Sequence, residues 1–260
     1  MNHSEKRRFL IQRFLKENPE YRNIEIPQDP QEQRLLLRGL MNVRLPRPAS
    51  QAFLEFQDEY LREEISEKGI TDVDNLNPIQ PGLYLWQGDI TTLKCDAIVN
   101  AANSARTGCY IPNHHCIDNA IHTYAGIELR YFCSKMREEQ GRLEPIGEAK
   151  ITPAFNLPCR YILHTVGPII IGGKAREKDK EQLASCYLSC LELAAKEKLK
   201  SVAFCCISTG EFCFPHELAA EIAVMTVKEF LKERTSIQKV VFNVFKDDDR
   251  YIYEKLLGAD

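Results

Sequence analysis

Apolar residues recur at helical spacing through the first third of the chain, then give way to short solid runs. In HSEKRRFLIQRFLKE, Phe9, Leu10, Phe14 and Leu15 fall near one stripe of an amphipathic helix. Pro27 and Pro30 interrupt that pattern and QEQRLLLRGLMNV resumes it. RPASQAFLEFQDEYLREEISEKG predicts a third helix, with Ser50 as its N-cap and Gly69 as its stop. The Lys/Arg content of the first helix admits a membrane-surface role, but its apolar stripe is better suited to packing on the downstream domain. Residues 1–78 thus read as a helical N-terminal extension.

From Pro81 the rhythm changes. GLYLWQGDI, CDAIVNAAN, RYILHTVGP, SVAFCCIST and KVVFNVF are short apolar, β-branched or aromatic runs that predict strands. Between them CIDNAIHTYAGIELRYFCSKMREEQ, EQLASCYLSCLELAAKEK and HELAAEIAVMTVKEFLKE carry helical periodicity. Strands alternating with helices predict, over residues 79–260, an α/β layered fold on a largely parallel, buried sheet. Such folds bind ligands beyond the carboxyl ends of their strands. The polar punctuation sits there: Asn103 after DAIVNAA, and Ser208, Thr209 and Gly210 after VAFCCI.

Composition narrows the function classes. With 34 basic against 37 acidic residues and a net charge of -3, nothing draws the chain generally towards nucleic acid or anionic lipid. The opening residues are charged throughout, unlike a signal peptide, and no run approaches the roughly 18 apolar residues of a membrane span. Ten cysteines lie scattered in apolar runs. A reducing cytoplasm is the expectation, so a cysteine cluster reads as metal or catalysis before disulfide.

Three segments offer chemistry. In QGDITTLKCDAIVNAANSA, Asp89 follows a strand where an acidic side chain can meet a ligand amine, although Gly-Asp is also common turn chemistry. Asn100 and Asn103 close the next apolar strand, and the small residues of NAAN allow close backbone approach. In CISTGEFCFPHELAAE a strand ends, a Ser-Thr-Gly loop follows, and a helix begins near Pro215 or His216. Loop N–H groups together with a helix N-terminus suit a phosphate or diphosphate. The segment is neither a Walker loop nor a GxGxxG, and an ordinary strand-to-helix connection would look the same. Phe212 and Phe214 read as core more readily than as stacking groups.

The third segment, TGCYIPNHHCIDNAIH, puts two cysteines and two adjacent histidines within eight residues. Thiolate and imidazole are the ligands zinc favours, and this spacing can wrap one ion in a single loop. In extended backbone His114 and Cys116 point to the same side and His115 points away, which favours Cys109, His114 and Cys116 as the set. Three ligands, with His115 and His122 weak fourths, leave an open position of the kind catalytic zinc keeps. Asp118 follows in the first helical turn, where a carboxylate is favoured by the helix dipole whatever its role. His164 and His216 fall outside the set, His164 as a core histidine on a strand.

In this order and spacing, GDIT, DAIVNAAN, CIDNAIH, HTVGP and STGEFCFP resemble elements of the macrodomain family, which binds ADP-ribose. VFNVFKDDDRYIYEKLL is similar to its closing strand and helix. The resemblance implies a three-layer α/β/α sandwich on a central mixed sheet. Many hydrolytic macrodomains carry a glycine run where GCYIPNHHC stands here, and many read GTGIYGFP where this chain has STGEFCFP. Both departures, with the helical extension, resemble a zinc-dependent branch whose pattern Gly-Cys-Phe/Tyr-x-Pro-x-His-x-Cys matches Gly108 to Cys116. Its members are protein-ADP-ribose hydrolases, often encoded beside a class M sirtuin that modifies a lipoyl-carrier protein.

Carried over residue by residue, the resemblance implies that Asp89 accepts from the adenine amine and the Ile90 backbone helps seat the adenosine. Ser208, Thr209, Gly210, Glu211 and Phe212 would hold the diphosphate and distal ribose, and Phe245 would neighbour the adenine. Asn103 would bond the distal ribose, with one zinc on Cys109, His114 and Cys116 and with Asp118 nearby. The activity implied is hydrolytic removal of mono-ADP-ribose from an acidic or similar oxygen linkage on protein. Three rivals are a non-catalytic ADP-ribose reader with structural zinc, a hydrolase of a small metabolite such as O-acetyl-ADP-ribose, and a scaffold whose helical N-terminus docks a partner.

Overall fold

The computed structural model describes residues 1–258. Helices α1 (His3–Glu17), α2 (Pro30–Val43) and α3 (Gln51–Lys68) open the chain. Each begins on a side-chain cap: Asn2 with a Glu5 capping box, Asp29 ahead of Pro30, and Ser50. Gly69, at φ 86°, ends α3. Leu10, Ile11, Phe14 and Leu15 of α1 pack with Leu37, Leu40 and Met41 of α2 and with Phe53, Tyr60 and Leu61 of α3. This cluster is buried against the remainder of the chain through Ile127. Charged groups line its edge: Lys6 pairs with Glu59 and Glu63, and Arg44 with Glu17.

Short strands β1 (Thr71–Asp72) and β3 (Leu93–Lys94) pair with one another, bracketing β2 (Leu83–Gln87). The main sheet has six strands, in the order β2, β8 (Lys239–Val244), β7 (Ser201–Phe204), β4 (Ala97–Ala101), β6 (Tyr161–Thr165), β5 (Ala149–Pro153). All pair in parallel except β5, which runs antiparallel to β6 at the edge, so the sheet is mixed. AKITP escapes a sequence reading because half-exposed Lys150 and terminal Pro153 dilute its pattern, as an edge strand permits. The inner strands are buried on both faces, hence their unbroken apolar runs.

Helices α6 (Glu177–Lys196), α7 (His216–Phe230) and α8 (Asp247–Leu257) form one covering layer, with α4 (Ile117–Ala125) and α5 (Ile127–Gln140) on the other side. The sequence between Cys116 and Gln140 reads as one helix but breaks at Gly126, whose φ is 99°. A Cβ there would lie 2.6 Å from Gln57 Nε2. Gln57 uses that closeness: its Oε1 accepts from the Ile127 N–H at 3.0 Å, capping α5 from within α3. No helix among the described residues is long and apolar enough to cross a membrane. Because five strands are parallel, the ends at Gln87, Val244, Phe204, Ala101 and Thr165 open onto one edge of the sheet.

Candidate active site

Every segment singled out in the sequence reaches that edge. Beyond β4, the loop from Asn103 to Cys116 carries the cysteines and histidines. The donor atoms of Cys109, His114 and Cys116 lie within 4.8 Å of one another, and His115 is not among them. The Nδ1 of His114 is buried without a hydrogen-bond partner. Burial pushes the Cys116 thiol up to about 12, helped by Cys109 and Asp118 beside it. Clustered soft donors, an unpartnered ring nitrogen and two close thiols are what a thiophilic cation would satisfy, so the residues fit zinc.

Cys116 is also the N-cap of α4, its Sγ accepting from the Asn119 N–H. In the first turn of α4, Asp118 is buried. Asn100 Nδ2 donates to its Oδ1 at 2.8 Å and Asn103 Nδ2 to its Oδ2 at 3.1 Å. Burial raises the Asp118 carboxyl to about 6, against the pull of those two amides and of Arg130. The Asn103 amide also meets the Gly108 carbonyl, and its oxygen accepts from the Ala105 N–H.

Behind Asp118 runs a polar chain that sequence reasoning missed. Asn100 Nδ2 meets His164 Nδ1 at 3.2 Å, and His164 Nε2 meets Thr152 Oγ1 at 3.0 Å. His164 is fully buried, and burial lowers it to about 3. It is a satisfied core histidine that steadies Asn100. His122 is also buried, with its Nε2 3.6 Å from Asp118 Oδ1. Its ring packs so closely on Gly108 (φ 80°) that a Cβ there would lie 2.7 Å from the imidazole.

The backbone of the cysteine-histidine loop is held from neighbouring helices. Arg38 of α2 donates to the His114 carbonyl at 2.8 Å and to Asn119 Oδ1. Asn42 Oδ1 accepts from the Asn113 N–H, and Asn119 Nδ2 donates to the Ile111 carbonyl. From α5, Arg130 donates to the carbonyls of Asn42 and Arg44 and, with Nη2, to that of Cys109 at 3.1 Å. None of these has a sequence signature, since each is an ordinary polar residue on a helix.

Beyond β7, Ser208 and Cys213 adopt positive φ of 65° and 54°, which curls the loop. Among the described residues, the N–H groups of Gly210, Glu211 and Phe212 have no acceptor within the protein. Three such donors in succession ahead of α7 are available to an anion. Glu211 Oε1 lies 3.5 Å from His114 Nε2, so this loop faces the cysteine-histidine loop. Phe214 is buried core and Phe245 is 75 % exposed just past β8. After β2, Asp89 N-caps a short turn that starts at Ile90, accepting from the Thr91 N–H and hydroxyl. Lys68, at the end of α3, donates to Asp89 Oδ2 at 2.8 Å.

Residues 99–223 match the family described as Macro domain. The protein-ADP-ribose hydrolase of Treponema medium is 55% identical over 262 residues, covering 99% of this chain and 100% of the relative. A Staphylococcus aureus protein-ADP-ribose hydrolase is 47% identical, covering 97% and 95%. A Trypanosoma brucei macrodomain solved in complex with ADP-ribose superposes with a TM-score of 0.67 at 30% identity, covering 89% of this chain and 97% of that one. With a three-layer fold, loops gathered at one sheet edge and near full-length relatives, the chain belongs to the macro domain family.

Proposed function

We propose that this chain is a zinc-dependent protein-ADP-ribose hydrolase that releases mono-ADP-ribose from an acidic side chain or similar oxygen linkage, reversing a sirtuin-type modification. The observation that carries the reading is the buried Asp118, anchored by two asparagine amides and placed two residues beyond a clustered Cys-His-Cys donor set. Relatives named protein-ADP-ribose hydrolase, matching along nearly the whole chain, support it. A lipoyl-carrier protein modified by a class M sirtuin is the proposed substrate.

The free N–H groups of the Gly210 to Phe212 loop hold the diphosphate, and Asp89 takes the adenine amine. That places the distal ribose between the two loops. Cys109, His114 and Cys116 would hold zinc, which would supply Lewis acidity at the site. Hydrolysis breaks the bond from the anomeric carbon to the protein's carboxylate oxygen and forms one to a water oxygen, through an oxocarbenium-like state. Asp118 accepts the proton of the attacking water, and Asn100 and Asn103 hold its carboxylate in line. The released protein carboxylate leaves with its electron pair and needs no proton at neutral pH.

The test is to incubate the protein, with and without a chelator, with acid-linked ADP-ribosylated protein and to measure free ADP-ribose. Release that chelation abolishes, and that Cys109→Ala and Cys116→Ala lose while staying folded, is expected. Binding without release would make the chain a reader. Turnover confined to O-acetyl-ADP-ribose would make it a metabolite hydrolase, and full activity without zinc would overturn the metal's role.

A further inference from the structure

Lys68 ends α3 in the extension, yet its ammonium lies among residues of the site. Nζ is 2.8 Å from Asp89 Oδ2 and 3.3 Å from the centroid of the Tyr124 ring, a cation–π contact that fixes the side chain from the other side. Thr91 already occupies Asp89 Oδ1 with two donors at 3.0 and 2.6 Å. Oδ2 is therefore the oxygen left to recognise a ligand, and Lys68 decides where it points. The arrangement is partly sheltered, with side-chain exposures of 29% for Lys68 and 34% for Asp89. Screening weakens such an ion pair less than one on an open surface.

Burial alone would work against an ionised Asp89, but the charge of Lys68 and the two Thr91 bonds hold its carboxyl below the ordinary carboxylate value. A neutral carboxyl would present a proton to an incoming amine. An ionised one presents only lone pairs, which accept from an amine and repel a carbonyl.

We propose that Lys68 is a positioning residue for base selection, aiming Asp89 Oδ2 so that a ligand's exocyclic amine is accepted and a carbonyl at the same place is refused. The inference rests on the reading of the site as an ADP-ribose site. It makes the extension part of the nucleotide site: the last turn of α3 supplies the counter-charge for the residue that reads the base. Lys68 and the amine share Oδ2, which has lone pairs for both.

The experiment compares ADP-ribose with inosine diphosphate ribose, whose base carries a carbonyl where adenine has its amine, by calorimetric titration of the full chain. The wild type prefers ADP-ribose. Lys68→Met weakens ADP-ribose binding about tenfold and leaves the inosine analogue nearly unchanged, so the preference narrows. Lys68→Arg, which keeps charge and reach, restores most of it. An equal loss for both ligands in Lys68→Met would show a merely structural role and overturn the inference, as would no change for either. Widened discrimination would mean that Lys68 contacts the base itself, which also overturns it. A wild type that binds neither compound would instead remove the ADP-ribose reading.

Discussion

Gly108 sits where three constraints meet. Its φ of 80° suits a residue without a Cβ, its carbonyl accepts from Asn103, and its α-carbon abuts the buried ring of His122. Gly108→Ala adds left-handed strain of about 1 kcal/mol and overpacking of roughly 1–3 kcal/mol, and pushes Cys109 off its partners. Lowered thermal stability together with weakened metal binding is expected, read by calorimetry and by competition with a chromophoric chelator. Unchanged binding would mean that the loop absorbs the methyl. At this scale the sequence is informative where chemistry is unusual and mute where it is ordinary. Cys109, His114 and Cys116 announce themselves by spacing, whereas Asn100 and His164 lie in apolar strands and look like any core polar residue. Only the sheet register, which sets Asn100 opposite His164, brings them together.

Among the elements, α2 limits where the backbone of the cysteine-histidine loop can go. Arg38 and Asn42 hold the loop at His114 and Asn113. Groups that orient ligands commonly govern metal affinity by about 10–100-fold. Arg38→Met should therefore weaken zinc binding within that range while far-UV circular dichroism stays that of the wild type; unchanged affinity would show that the loop orders itself. Helices α1 to α3 are legible in their caps and stripes, and Ser50 and Gly69 bound α3 in both sequence and structure. Their docking is not legible, since an Arg on a helix looks solvated until its acceptor, 76 residues away, is in place. The break at Gly126 is hidden for a related reason: Gln57 of a distant helix supplies the cap.

Taken whole, the molecule joins two kinds of cohesion. The sheet and its helices rest on a large apolar core, while the extension adds ion pairs to a smaller one. Glu64 accepts from Tyr60 and Arg34 and meets His3 at 2.7 Å, and Glu17 is held by Arg44 and Arg47. Burial opposes ionisation of both, yet these partners keep their carboxyls below the ordinary glutamate value of 4.5. A depressed carboxyl stabilises the fold above its unfolded value and loses that contribution as pH falls through the folded one. Acidification below about 4.5 should thus loosen the extension before the sheet. The lone tryptophan, Trp86, lies in β2 and reports on the sheet. Helical signal in circular dichroism should fall at higher pH than Trp86 fluorescence changes, and Glu64→Gln should narrow that gap. Coincident transitions would mean that the two parts melt as one.

During synthesis, helices α1 to α3 emerge ahead of the sheet, but Arg130 closes onto the carbonyls of Asn42 and Arg44 from 88 and 86 residues further on. Their cluster gains Ile127 only with the same helix. Those contacts cannot form until about half the chain has been made, and the cysteine-histidine loop lies in the stretch between them. The same guanidinium that reaches the bundle also donates to the Cys109 carbonyl, so one side chain ties the docking of the N-terminal helices to the shape of the cysteine-histidine loop.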